Sequence, residues 1–323
     1  MAAALTTRRK FRNFISAVIP LCGIIKTSGH PSFRCSILES SNFTLRLISR
    51  SAIFVFLIAA FIAVIPTGAQ EPEFKVSTPE EIKEDFTTVP CEDKKRLDAV
   101  KSLFERAGIP SSEITIDKHK DVENLVWTRK GESSEKIVIG AHYDKVADGC
   151  GALDNWTGIV TLSHLYRTLK DIPLKKTLVI VAFGKEEKGL IGSRAMANAI
   201  SKDQAAQYCA MINIDSLGLG PPQVADNMSS KKLAQFTENI AKEMKMPFGH
   251  ASIEGADSDS SSFIAKNIPA VTVHGMNNDW PALLHSRNDQ ASKVNPISVY
   301  LGYRLTLMMV VTLDQSPCAA YKE

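Results

Sequence analysis

The chain has 323 residues, 44% hydrophobic and 23% charged, enough to bury a full core in one large or two modest domains. Its net charge of +3 misleads, because residues 1–70 carry eight Lys and Arg against one acid, leaving 30 basic and 34 acidic side chains in 71–323. The body is mildly acidic and has no basic stripe interleaved with aromatics, which excludes a nucleic-acid surface.

The uncharged run 52–66 follows Arg46 and Arg50 and ends in Thr67-Gly68-Ala69 ahead of Gln70. This is the layout of a secretory signal with cleavage after Ala69. Its apolar core is short for a membrane span of about 20 residues, although its flanks lengthen it enough for an uncleaved anchor. The fifty residues ahead of it are long for a basic leader. An over-extended start explains them better than the twin-arginine-like Thr7-Arg8-Arg9-Lys10-Phe11. The expected organisation is a leader or anchor over 1–69, a linker over 70–77, one domain over 78–316 and a tail over 317–323. An exported, periplasmic or extracellular protein follows, touching a membrane only through that anchor.

Thr78-Pro79-Glu80-Glu81 reads as a capped helix start, with Pro at the first helical position and acids in the first turn. A longer amphipathic helix follows Cys91-Glu92-Asp93-Lys94, with Leu97, Val100, Leu103 and Phe104 on one face, and stops at Gly108. Segments 114–117 and 122–128 alternate like a half-buried hairpin. The runs 136–141, 177–183 and 210–214 are almost wholly apolar, as in strands covered on both faces. A further strand is expected at 270–273, and helices at 156–169, 193–200, 229–244, 260–266 and from Pro296 to Val311. Strands alternating with helices predict an α/β fold, with a sheet flanked by helices.

Chemistry concentrates at the ends of these strands. Glu186 and Glu187 follow the 177–183 strand at the end where α/β sheets bind ligands, and desolvating two adjacent carboxylates is costly without a cation. Alone, Lys185-Glu186-Glu187-Lys188 reads as a solvated turn neutralised by its own lysines. The company it keeps changes that reading. His142 and Asp154 follow the 136–141 strand, Asp215 follows the 210–214 strand, and His285 precedes the last helix. Nitrogen and carboxylate donors without thiolate suit zinc or a similar ion in a catalytic site. Five ligands serve two ions if one carboxylate bridges, with hydrolytic ions about 3.5–4 Å apart, and Asp154 is the candidate bridge. Asp144 is placed to orient the His142 imidazole, and Glu186 is left free as general base.

These residues resemble the co-catalytic di-zinc aminopeptidases, relatives of bacterial leucyl aminopeptidases, glutamate carboxypeptidases and glutaminyl cyclases in the zinc peptidase clan MH. The resemblance covers about 76–316 and runs through His142-Tyr143-Asp144, Gly151 to Gly158, Glu186 to Ser193, Asp215-Ser216-Leu217-Gly218, Ser258-Asp259 before Phe263, and His285 with Asp289. It implies a three-layer α/β/α sandwich, zinc-exopeptidase-like, around a mostly parallel mixed sheet. It also implies one zinc on His142, Asp154 and Asp215, a second on Asp154, Glu187 and His285, and Glu186 as the base. Ser260 stands where the family often has His, and Thr157 where it has Ser; neither is a proposed ligand.

The implied activity is a secreted zinc aminopeptidase acting on peptide substrates with two Zn²⁺ per chain. A glutaminyl cyclase, a carboxypeptidase and a non-catalytic receptor-like domain are the alternatives; intact Glu186 and all five ligands weigh against the last. His274, near Trp280, reads as a packed or surface histidine rather than a pocket residue, and His119, His164 and His250 receive no role. The sequon Asn155-Trp156-Thr157 falls inside the proposed active-site loop and is taken as coincidence. Cys91, Cys150, Cys209 and Cys318 allow three pairings; Cys91–Cys318 and Cys150–Cys209 are favoured.

Overall fold

The computed structural model describes residues 75–323 and, ahead of them, only the backbone of two paired two-residue strands, β1 (Ile24–Ile25) and β2 (Ser32–Phe33). The apolar run 52–66 and the cleavage point after Ala69 lie outside the described residues.

Within 75–323, eight strands form one sheet: β3 (Thr115–His119), β4 (Val122–Arg129), β5 (Lys136–His142), β6 (Thr177–Phe183), β7 (Tyr208–Ile214), β8 (Gln223–Ala225), β9 (Gly249–Ala251) and β10 (Ala270–His274). Their order is β3-β4-β6-β5-β7-β10-β8-β9. The central four, β6-β5-β7-β10, are parallel. The β3–β4 hairpin adds antiparallel to one edge, and β8 adds antiparallel to β10, with β9 parallel beyond it. Every residue of β6 and β7 is buried, as continuous apolar runs require when both faces are covered.

The covering helices are α1 (Pro79–Phe86), α2 (Asp93–Ala107), α3 (Thr157–Leu169), α4 (Ile191–Ala199), α5 (Lys202–Ala205), α6 (Lys231–Glu243), α7 (Asp259–Ile264), α8 (Trp280–Leu283) and α9 (Pro296–Gln315). Helices α1, α2, α3, α6 and α9 pack into one layer, and α4 pairs with α7 in another. The result is a three-layer α/β/α sandwich. Between the sheet and the α4–α7 layer, Val138, Val181, Phe183, Met211, Phe263 and Ile268 form a continuous apolar core.

Local sequence explains the helix ends. Thr78 and Glu81 close a capping box with Pro79 at the first position of α1, and Gly108, at φ 99°, ends α2 in the left-handed conformation that glycine adopts without a Cβ clash. Among the described residues α9 alone is long and apolar enough to cross a membrane, yet 72% of its most apolar window is buried, as befits a core helix. His164, on α3, bonds Ser77 Oγ at 2.8 Å and faces Asp85 Oδ2 at 3.2 Å, tying the start of the domain to the helical layer.

Two features differ from expectation. The short elements β8, β9, α5 and α8 span only three or four residues each, too few for a periodic signal. The favoured cysteine pairings also do not form: the bonds are Cys91–Cys150 and Cys209–Cys318. Cys91 lies just before α2, whose first turns pack under the 150–151 loop, bringing its Cα within 4.0 Å of that of Cys150. Cys209, near the start of β7, lies beside the turn after α9, 4.6 Å from Cys318 between Cα atoms. Order along the chain does not report the short Cα separation a disulfide demands.

Candidate metal centre

The carboxyl ends of parallel β6, β5 and β7 open on one side of the sheet, where crevices of such folds lie. His142 is the last residue of β5 and pairs in register with Phe183, next to the turn carrying Glu186 and Glu187. Asp215 follows β7 directly, and its N–H donates to Val273 O at 3.0 Å. Asp154 sits in a π turn over Ala152–Trp156, and His285, at φ 56°, follows α8.

Asn155, fully buried, fixes the π turn against the end of β7. Its Nδ2 donates to Ile214 O at 2.8 Å, and its Oδ1 accepts from Ser216 N–H at 3.2 Å and Gly158 N–H at 3.0 Å. A Cβ on Gly158 would meet Asn155 Oδ1 at 2.4 Å, so this close approach requires glycine. The same burial keeps the sequon asparagine from carrying a glycan. Asp289 adds a second clamp, its carboxylate accepting from the N–H groups of Leu153 and Asp154 at 2.7 and 3.2 Å.

The five candidate ligands meet in two groups that share Asp154. His142 Nε2 lies 3.1 Å from Asp154 Oδ1 and 3.4 Å from Asp215 Oδ1. His285 Nε2 lies 3.0 Å from Asp154 Oδ2 and 3.3 Å from Glu187 Oε2. One oxygen of Asp154 thus faces each group, as a bridging carboxylate must. Glu186 belongs to neither group and lines the adjoining cavity.

Asp144 differs in detail from expectation. Its Oδ1 is 3.7 Å from His142 Nδ1, whereas its backbone oxygen is nearer, at 3.3 Å. Its carboxylate is spent chiefly on the N–H groups of Glu186 and Glu187, at 2.9 and 3.2 Å. It therefore holds the glutamate turn against His142 as much as it orients the imidazole. Ser258 Oγ and Ser216 Oγ donate to the two oxygens of Asp215, at 2.6 and 3.1 Å.

Charge in this cluster is out of balance without a cation. Burial, reinforced by Asp259, Asp215 and Asp154 and only partly countered by His142, pushes the Glu186 carboxyl up to about 10. Burial likewise raises Glu187, and lifts Asp259 to about 7. Burial opposes a charge on His142, but Glu186, Asp144, Asp154 and Asp215 outweigh it and raise its pKa well above the ordinary value. Bonds to Asp154 and Glu187 carry His285 to about 10. Burial also works against the Asp154 charge, yet the two histidines keep that carboxyl depressed. Divalent cations held by these groups would neutralise the acids in place of protons. The donor set and the buried Glu187 Oε1, which has no hydrogen-bond partner among the described residues, fit zinc or a similar ion.

Beside the ligands is a cavity of about 420 Å³, whose other wall includes Met228, Ile253, Met276, Trp280 and Leu284. His274 is packed, as the sequence suggests, and also lines this cavity, which the sequence did not favour. Its Nδ1 accepts from Met276 N–H at 3.2 Å, and burial depresses its pKa to about 4, so the ring is neutral. Asp154, Asp215, Glu187, His142 and His285 are all gathered here. Arg96, which sequence reasoning passed over, lies beneath them, fully buried; its spacing with Val100 and Leu103 on the inward face of α2 was the available signal.

The family model for peptidase family M28 matches residues 124–307, a span that contains the sheet centre and every candidate ligand. The chain belongs to peptidase family M28. Among relatives, an aminopeptidase of Bacillus subtilis, YwaD, is 30% identical over 99 residues, covering 30% of this chain and 22% of that protein. A probable leucine aminopeptidase 2 of Trichophyton verrucosum is 25% identical over 180 residues, covering 51% of this chain and 36% of the other. The matches thus span about a third or less of these relatives' length. Among solved structures, the Legionella pneumophila LapA aminopeptidase superposes with a TM-score of 0.62 at 18% identity, over 76% of this chain and 78% of that one. A glutaminyl cyclase from an Acidobacteriales bacterium gives 0.63 at 17% identity, over 78% of this chain and 98% of that one. Both share the fold of this M28 member.

Proposed function

We propose that this protein is an exported zinc-dependent exopeptidase, an aminopeptidase that removes N-terminal residues from peptides with two Zn²⁺ per chain. The observation that carries the reading is the pair of donor groups meeting on opposite oxygens of Asp154, with Glu186 beside them and uncommitted. The named aminopeptidases among its relatives support the same reaction class.

His142, Asp154 and Asp215 would hold one ion, and Asp154, Glu187 and His285 the other. Bound there, the ions supply Lewis acidity toward the scissile carbonyl and lower the pKa of the attacking water. Glu186 takes a proton from that water and hands it to the leaving amine, the work of a general base turned acid. Asp144 keeps Glu186 in place through the turn N–H groups. The apolar wall of Met228, Ile253, Met276 and Trp280 receives the side chain of the N-terminal residue and excludes water from it. Export is supported by the signal-like run ending at Ala69.

The full chain expressed in an exporting host, with metal analysis, N-terminal sequencing and a panel of aminoacyl-nitroanilides, blocked peptides and N-terminal glutaminyl peptides, tests the reading. The expected result is two zinc equivalents, cleavage of free-amine substrates only, and a mature N-terminus near Gln70. Saturation at one equivalent with cyclisation of glutaminyl peptides, or a mature chain beginning upstream of residue 50, contradicts it.

A further inference from the structure

Arg96 is 0% exposed, yet among the described residues no carboxylate bonds its guanidinium. Its Nε donates to Tyr143 O, one NH₂ group to Cys150 O at 2.8 Å and Pro90 O at 3.3 Å, and the other to Gly151 O at 3.1 Å. Its Cζ stands 5.3 Å from the centre of the Trp156 ring. The acceptors are not scattered. Tyr143 lies between His142 and Asp144, while Cys150 and Gly151 lead into the π turn that carries Asp154. A planar fork with fixed donor directions holds two backbone segments at one separation, which a flexible ammonium cannot do. That separation is also the one across which His142 Nε2 faces Asp154 Oδ1 at 3.1 Å.

We infer that Arg96 is a positioning residue for the metal centre, setting the spacing between the β5 end and the Asp154 turn so that His142, Asp154 and Asp215 can hold a cation. The inference rests on the metal-centre reading above. Its consequence is local: the His142-Asp154-Asp215 group depends on Arg96 more than the Asp154-Glu187-His285 group does, because Arg96 bonds the segments of both His142 and Asp154 in the first group and that of Asp154 alone in the second.

The test is zinc titration of metal-free protein against a chromophoric chelator, for wild type, Arg96→Met and Arg96→Lys, at a temperature where circular dichroism shows each variant folded. Arg96→Met should weaken one of the two zinc equivalents at least tenfold and leave the other within about threefold. Arg96→Lys, which keeps the charge but loses the fork, should weaken the same equivalent. In Arg96→Ala, millimolar guanidinium should restore that equivalent toward wild type, which a general loss of stability would not permit. Wild-type affinity for both equivalents in a folded Arg96→Met, or in Arg96→Lys if the Met variant does not fold, overturns the inference. Failure of the wild type itself to bind zinc overturns the metal-centre reading instead, and the two results are distinct.

Discussion

At the residue scale the two adjacent glutamates have separate geometries and therefore separate predicted failures. Glu187 faces His285 at 3.3 Å within a donor group, whereas Glu186 lies outside both groups and lines the cavity. Glu186→Gln should keep both metal equivalents and the fold while kcat falls by roughly 10²–10⁴-fold or more, the range of general-base removal. Glu187→Gln should lose affinity for one equivalent and regain part of its activity as zinc is raised. Metal stoichiometry and kcat across a zinc titration distinguish them; a Glu186→Gln variant that sheds metal while Glu187→Gln keeps two ions would reverse the assignment. At this scale much was legible from sequence, because the five candidate ligands sit at a strand end, in the loops that follow strands or before a helix, where a polar residue stands out from an apolar run. Arg96 was legible only in its spacing with Val100 and Leu103: an arginine in an amphipathic helix ordinarily snorkels to solvent, and the three-dimensional proximity of four carbonyls is what explains why this one does not.

At the scale of elements, the strands that could be read were those with the most burial. β5, β6 and β7 are almost wholly apolar because helices cover both faces, whereas β8 and β9 contribute three residues each at a sheet edge and offer no period to detect. The disulfides show the complementary limit, since their pairing depends on how α2 meets the active-site loop and how the turn after α9 meets β7. The Cys91–Cys150 bond spans 59 residues and joins the segment before α2 to the loop leading to Asp154. On a loop-closure estimate, a bond closing a loop of this length contributes about 4 kcal/mol, by restricting the unfolded chain. Replacing both cysteines with serine should therefore lower unfolding stability by that amount in urea titration. Zinc content should fall less than in the Arg96 variants, because Asp289 and Arg96 still hold the loop. An unchanged urea midpoint would show that this bond is not a stability element.

At the scale of the whole molecule, the metal centre couples stability to pH, and the sign follows from the direction of the shifts. Without a cation, His142 is raised well above its ordinary value, His285 to about 10 and Glu186 to about 10, so the folded chain binds protons more tightly than the unfolded one. Groups raised in this way contribute stability that is fully present below their unfolded pKa values, about 6.5 for His and 4.3 for Glu, and lost as pH rises toward 10. The metal-free protein should accordingly lose Tm steadily between pH 6.5 and 9.5. Zinc reverses the dependence, because it takes the place of those protons and competes with them below neutrality. At free zinc of about 100 times Kd the gain from one site is about 2.7 kcal/mol, or roughly 5–10 °C in Tm for a domain of this size. The zinc-induced shift should therefore be small at pH 6 and largest at pH 8–9, and each cation bound near pH 7 should release protons measurable with a pH indicator in weak buffer. His142→Ala and His285→Ala should each flatten the pH dependence of the metal-free protein. A zinc shift that shrinks as pH rises from 6 to 8.5, with no proton release, would mean that the acids are neutralised by something other than the two histidines and the cations they make room for.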